Sequence, residues 1–484
     1  MKIKIIISMF LVLVTNRIIG KPIDYLSRCW NKQVKPISEQ YLTFHFEENL
    51  NRLEHTFEPW QQTNYMCKGI ISCNVNNFIK RDTLINGFRT SFSNTELSKT
   101  DFLFVNYGEK ELSPVTKGMY LDQLIKSARY SPLAIIDYFF QNKVAINKGS
   151  NEEYALYITT INNVNVTLQI RKSDYLLNKI ITLSYDELFG DVLTTFIFKD
   201  YNIVENIHYS KSISIEKYNG KVKDEVKISI PKLSTNVSRI LIKPSNFEFS
   251  EDIEVKPAIT LEKYNDNIYF LELKHTDDRI LVVEFKDFML VAEAPLNSKN
   301  GEVIIKEVKK IAPTKPIRYF VFGHYHPHYI GGIRPFVHKG AEIICSKIDE
   351  DYVRYLTDAP HTLAPDSLHS EFKQLKIKEI KDSLVIENGK IEMKIYFIGE
   401  ESMHTKDYLI YYFPQEKLLF EDDLVWIEKE GSIKRAKSRQ VGLYKALKRL
   451  NLDVKTIIQS WPVKDYGVKT VIPFEDLEKS MTAN

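Results

Sequence analysis

Cysteine is scarce in this sequence. Four residues in 484, Cys29, Cys67, Cys73 and Cys345, cannot form a disulfide framework for a chain of this length. Long apolar runs are also missing, so no integral membrane segment is expected once a leader is removed. There is no excess of one charge: 66 Lys+Arg against 63 Asp+Glu leaves a formal net charge of +3, and no basic stripe argues for nucleic acid. A glycine-rich phosphate loop and a Gly-x-Ser-x-Gly elbow are both absent, which sets aside P-loop and serine-hydrolase chemistry. No histidine follows His404. What is present is a globular composition, 44% hydrophobic and 27% charged, in a chain too long for one ordinary core; two domains are expected.

The N-terminus has the pattern of an export leader. Met1-Lys2-Ile3-Lys4 is a short basic start, and Ile5 to Val14 is an apolar run too short to span a bilayer, with cleavage expected near Gly20. The mature chain is therefore expected to be secreted or periplasmic. In that compartment Cys67 and Cys73 are candidates for a bridge, with two separate buried thiols as the alternative. Cys345, in Ala341-Glu342-Ile343-Ile344-Cys345, reads as a core thiol on a strand.

Residues 21–245 read as a mixed α+β domain. Gln40 to Glu58 has helical spacing, with Leu42, Phe46, Leu50, Leu53 and Phe57 roughly on one face. Met119 to Phe140 reads as two helical pieces broken at Pro132. From Tyr154 the character changes to strands, at 154–158, 166–170, 180–183, 193–198 and 226–230, with turns at Asn162-Asn163 and Asn219-Gly220. Gly190-Asp191-Val192-Leu193-Thr194-Thr195 followed by Phe198-Lys199-Asp200-Tyr201 resembles the last strands of the half-barrel in periplasmic lipoprotein-carrier proteins. A half-barrel over a helix and an unrelated α+β domain both fit this pattern. Lys232 to Pro257 is polar and irregular and reads as the linker.

Residues 246–484 form the second expected domain. Strands at 268–271, 280–285 and 288–294 precede an amphipathic helix at 303–311. The apolar run Arg318 to Phe322 then leads into His324-Tyr325-His326-Pro327-His328-Tyr329-Ile330-Gly331-Gly332. Three imidazoles at alternate positions are not core composition, and histidine is the commonest side-chain ligand for borderline metals. The two glycines let the backbone turn tightly beside whatever the imidazoles hold.

This stretch resembles the His-x-His-x-Asp-His-x-Gly-Gly signature of the metallo-β-lactamase superfamily. Gly331-Gly332 fix the register, so His324 and His326 take the first two histidine positions. His328 falls at the aspartate and Tyr329 at the third histidine. Ser402-Met403-His404-Thr405 resembles the family's Gly-His-Thr element, with Met403 at the glycine. Leu419-Phe420-Glu421-Asp422-Asp423 resembles its Leu-Phe-x-Gly-Asp strand end, with Asp422 at the glycine and Asp423 at the metal-bridging aspartate. Trp461 or Tyr466 stands where the family has its last histidine. The resemblance implies an αββα sandwich. It also implies that His324, His326 and His404 hold one zinc ion, while the second family site keeps only the shared Asp423.

A three-histidine zinc site with an open fourth position is a catalytic type. The expected chemistry is hydrolysis of a small-molecule substrate by a metal-activated water that Asp423 supports, unless Asp423 itself closes the site. His328 is a candidate base at the place of the lost aspartate, and Tyr329 a candidate donor to a substrate oxygen. His361, on the Pro-rich loop Asp358 to Asp366, is a candidate for substrate contact. The alternative function is a binding protein that kept the fold and lost the chemistry, with its N-terminal domain holding an apolar ligand or partner.

Overall fold

The computed structural model describes residues 24–483, except 38–39, 54, 88, 99–101, 109, 113–116, 236, 238–244 and 250–257. The expected leader, residues 1–20, lies outside the described residues, as does much of the expected linker. No helix among the described residues is long and apolar enough to cross a membrane.

The strand Tyr41–Arg52 lies in the middle of one large sheet, between Thr63–Cys73 and Val222–Ile228. A helix was expected over residues 40–58, and the structure corrects this. The side chains that turn inward are Leu42, Phe44, Phe46 and Glu48, a period of two. Glu48 hid that period because a carboxylate occupies an inward position. It is paired there with Arg129 at 2.8 Å and accepts from the Tyr130 hydroxyl at 2.6 Å. Periodicity also assigned no element to residues 63–106, which form four antiparallel strands, or to Ile207–Lys217.

The helices Tyr25–Gln33, Lys117–Ser127 and Leu133–Gln141 pack on this sheet. Their core draws Phe78 and Leu97 from one end of the strand order and Ala155, Leu168 and Ile180 from the other, so a single sheet covers the helices. Burying each large apolar side chain contributes about 2 kcal/mol. Cys67 and Cys73 lie on one strand, six residues apart and therefore about 20 Å apart. That exceeds disulfide reach, and all four cysteines are free and buried. The bridge is thus excluded in this fold.

The C-terminal half has two sheets. Among the described residues the first has seven strands in sequence order, from Ile259–Lys263 to Lys376–Ile380. Its opening strands form an antiparallel meander, and from Met289–Ala292 onward neighbours run parallel. The second has six, from Ser383–Asn388 to Val471–Pro473. Alternation along the strands sorts the side chains into layers. Phe270, Leu281, Val283 and Leu290 face Met393, Ile395, Tyr411 and Phe420 across the sheets. Leu271, Leu273, Val282 and Val291 face the helices Ser298–Ile311, Ile333–His338 and Glu350–Asp358. On the far side Ser438–Arg449 and Phe474–Thr482 cover the second sheet. The layers are therefore helix, sheet, sheet, helix. The short strand Glu248–Phe249 pairs with Glu111–Leu112, so the N-terminal sheet reaches just past the expected boundary at 245/246.

Candidate metal centre

The chain leaves the strand Ile317–Val321 at its C-terminal edge and turns at Gly323 into the histidine stretch. A Cβ at Gly323 would run into the Asp422 carboxylate. That carboxyl is hydrogen-bonded to His324 Nδ1 at 2.6 Å, with both residues fully buried. His324 Nε2 then faces His326 Nδ1 at 2.9 Å. The other nitrogen of His326, Nε2, donates to the Thr56 carbonyl at 3.1 Å, a group of the N-terminal domain. His404 follows the turn Gly399–Ser402, whose Ser402 hydroxyl accepts from the His404 backbone N–H. Met403, at the family's glycine, sits in left-handed conformation at φ 55°. The ligand atoms of His324, His326 and His404 all lie within 4.8 Å of one another.

The donor set fits a metal ion on two observations. Burial, then the neighbouring imidazoles, holds His324 far below the usual histidine range and His326 at about 3, so both rings are neutral. Because the Thr56 carbonyl only accepts, His326 Nε2 carries the proton and His326 Nδ1 presents its lone pair towards His324 Nε2. His404 Nε2 is buried and has no hydrogen-bond partner, although Asp423 Oδ2 lies 3.2 Å away without hydrogen-bond geometry. Behind the triad burial raises the carboxyls of Glu293 and Glu421 to about 8, and burial followed by Glu293, Asp423 and Glu421 raises that of Asp422.

Asp423 also accepts from Arg439 at 3.1 Å; burial opposes its charge, but His404, Arg439 and His326 hold its carboxyl below the usual range. His328 takes its partner outside the triad. Its Nδ1 lies 3.0 Å from Oδ1 of the fully buried Asp278. Burial disfavours its charged form, yet the Asp278 contact raises its affinity for a proton. Tyr329 is buried with its ring 4.3 Å from that of His324, and burial followed by the surrounding carboxylates keeps its hydroxyl protonated. Of the two residues at the last family position, Trp461 lines the cavity, whereas the exposed Tyr466 donates to Asp277 at 2.9 Å.

The cavity beside the triad holds about 310 Å³ and is lined by His55, His326, His328, Tyr329, His404, Asp423, Arg439 and Trp461. His55 carried no signal in the sequence. It comes from the loop after Tyr41–Arg52, and its ring stands edge-on to His326 at 4.8 Å and stacked on His328 at 6.3 Å. Asp278 was equally silent. His361 is not among the cavity's lining residues. It is buried against Tyr185 and Gly190, because its loop is docked on the N-terminal domain.

No family model matches the sequence, and no curated protein is similar to it at a significant level. Among solved structures, a metallo-β-lactamase from Pontibacter korlensis is similar at 15% identity and TM-score 0.34, over 46% of this chain and 98% of that one. A flavodiiron protein from Giardia intestinalis is similar at 14% and 0.33, over 46% and 58%. The DIM-1 metallo-β-lactamase is similar at 16% and 0.33, over 47% and 96%.

Proposed function

We propose that the protein is an exported, mono-zinc hydrolase of metallo-β-lactamase type acting on a small molecule. One observation carries the reading: three buried imidazoles converge, two of them with their outer nitrogens fixed by Asp422 and Thr56. A single ion is favoured because the remaining family positions face elsewhere or bear no ligand: His328 is held by Asp278, Tyr329 packs on His324, and Trp461 is an indole. Export is supported by residues 1–20 of the sequence alone.

A zinc ion on these histidines would polarise a substrate oxygen and lower the pKa of a bound water to about 7. The chain's own groups do the rest. Asp423, fixed by Arg439, accepts a hydrogen bond from the attacking water. His328 keeps Nδ1 on Asp278 and takes the water's proton on Nε2. The Tyr329 hydroxyl donates to the substrate oxygen as charge develops on it. The bond to the leaving group breaks, and the proton passes from His328 to the departing atom.

The test is metal content of the purified mature protein beside a His324→Ala/His404→Ala double variant. About one zinc per chain, lost in the variant, supports the reading; near-zero metal after zinc-supplemented purification overturns it, and two ions overturn the mono-zinc form.

A further inference from the structure

A second cavity of about 140 Å³ adjoins the first. The two share His55 and His326 in their walls. Its remaining surface is mostly apolar and aromatic, and comes from both halves of the chain: Leu53, Trp60, Leu188, Phe189 and Tyr218 from the N-terminal domain, Tyr352 from the C-terminal one. The rings brace one another. Trp60 stacks on Phe189 at 5.5 Å and meets Tyr352 edge-on at 5.3 Å, while Phe189 meets Tyr218 at 5.2 Å. Such mutually packed rings hold a chamber open, because none can rotate into it without losing a partner.

From this chamber we infer the substrate class: a carbonyl compound bearing a single aromatic ring, or a branched acyl group of that size, next to the bond that is cleaved. The inference rests on the hydrolase reading of the histidine centre. Size carries the first part, since an apolar cavity of about 150 Å³ takes one benzene molecule. Position carries the second. His326, a proposed metal ligand, belongs to both walls, so a ring in the chamber lies one side chain away from the reacting bond. The N-terminal domain thereby becomes the specificity element, and a fused two-ring group would have to extend out of the chamber towards the first cavity.

The experiment measures binding of benzyl alcohol and 2-naphthylmethanol to the full chain, with and without zinc, through tryptophan emission and ligand-observed NMR. Benzyl alcohol is expected to bind at least tenfold more tightly than the naphthyl compound, and Trp60→Phe is expected to remove the emission change. Phe189→Trp and the less buried Leu188→Trp should each weaken benzyl alcohol binding at least tenfold. On zinc-loaded protein, phenyl acetate should exceed ethyl acetate in kcat/KM at least tenfold beyond their ratio with hydroxide, and Leu188→Trp should abolish that excess. Equal binding of both alcohols, or unchanged binding in a Leu188→Trp protein that melts as wild type, overturns the inference. Ring binding without ester turnover would remove the hydrolase reading and leave the chamber as a binding site. Turnover without ring binding would do the reverse.

Discussion

Asp422 is in place because residue 323 is glycine, and His324 is oriented because Asp422 is there. The carboxylate stands where the resembled family has glycine, so it is an addition that this chain accommodates with its own small residue. Removing it leaves His324 Nδ1 unpaired in a buried site. Loss of such an outer partner typically lowers metal affinity 10- to 100-fold. Asp422→Ala should therefore weaken zinc binding by about that factor in chelator competition while the far-ultraviolet circular dichroism stays unchanged; unaltered affinity would remove Asp422 from the centre. Met403 makes a second case. Its left-handed φ of 55° costs a non-glycine residue about 1–2 kcal/mol. Met403→Gly should stabilise the protein by about 0.5–1 kcal/mol in urea unfolding, after the greater freedom of glycine in the unfolded chain is subtracted. His324, His326, His404 and Asp423 were legible because each sits in a short contiguous pattern. His55 and Asp278 were not, since each meets the site only across distant chain segments and neither has a pattern of its own.

Legibility changed from element to element for a physical reason. Inner strands of the C-terminal sandwich such as Asp278–Glu284 and Met289–Ala292 are buried on both faces and read as dense apolar runs, so their places were predictable, whereas the more exposed Ile259–Lys263, Lys376–Ile380 and Ser383–Asn388 gave no such run. Asn77–Asn86 alternates weakly, with most of its side chains half-exposed, and gave no period to find. Tyr41–Arg52 was misread because Glu48 interrupts its inward face while Leu50, Leu53 and Phe57 extend a chance helical spacing. The glycine pair behaved as its residue type dictates. The Gly332 N–H donates to the Ala294 carbonyl at 2.8 Å, and a Cβ on Gly331 would strike the Leu296 backbone. These contacts fasten the histidine-bearing turn Pro327–Ile330 to the loop before the helix Ser298–Ile311. Overpacking against backbone cannot be relieved by rotating a side chain. Gly331→Ala should cost about 2–3 kcal/mol, read as a lower urea midpoint, and Gly340→Ala, with open space around it, should show only its left-handed strain of about 1–2 kcal/mol. Equal losses at the two positions would refute the close-approach argument.

The two halves of the molecule are joined at the site itself, by side-chain pairs such as Asn297 with Glu187 and Asn219 with Tyr355, and by a latch. The Tyr325 hydroxyl donates to the Thr56 carbonyl at 2.7 Å, and the Lys406 N–H donates to the Phe57 carbonyl at 2.8 Å. The latch is Asp191, whose carboxylate accepts from the Thr362 N–H, the Leu363 N–H and the Thr362 hydroxyl. Burial works against its charge, yet these three donors hold its carboxyl below the usual aspartate range. A carboxylate whose folded pKa is depressed stabilises the folded state above its unfolded pKa of about 3.9, and that contribution is lost as the pH falls through the folded value. Docking of the 359–366 loop should therefore hold at neutral pH and loosen in acid, below about pH 4. Hydrogen exchange at Thr362 and Leu363 is the direct measurement. Protection should fall on acidification in the wild type and be low at every pH in Asp191→Ala, which removes the acceptor of both N–H groups. Exchange indifferent to both pH and substitution would mean that the loop is held by packing alone. Because Thr56 and His55 reach the histidine centre from the same domain that Asp191 latches, Asp191→Ala should also speed zinc release, though Asp191 touches no ligand. Zinc release unchanged in that variant would show that the loop carrying Thr56 is anchored at the centre independently of the latch.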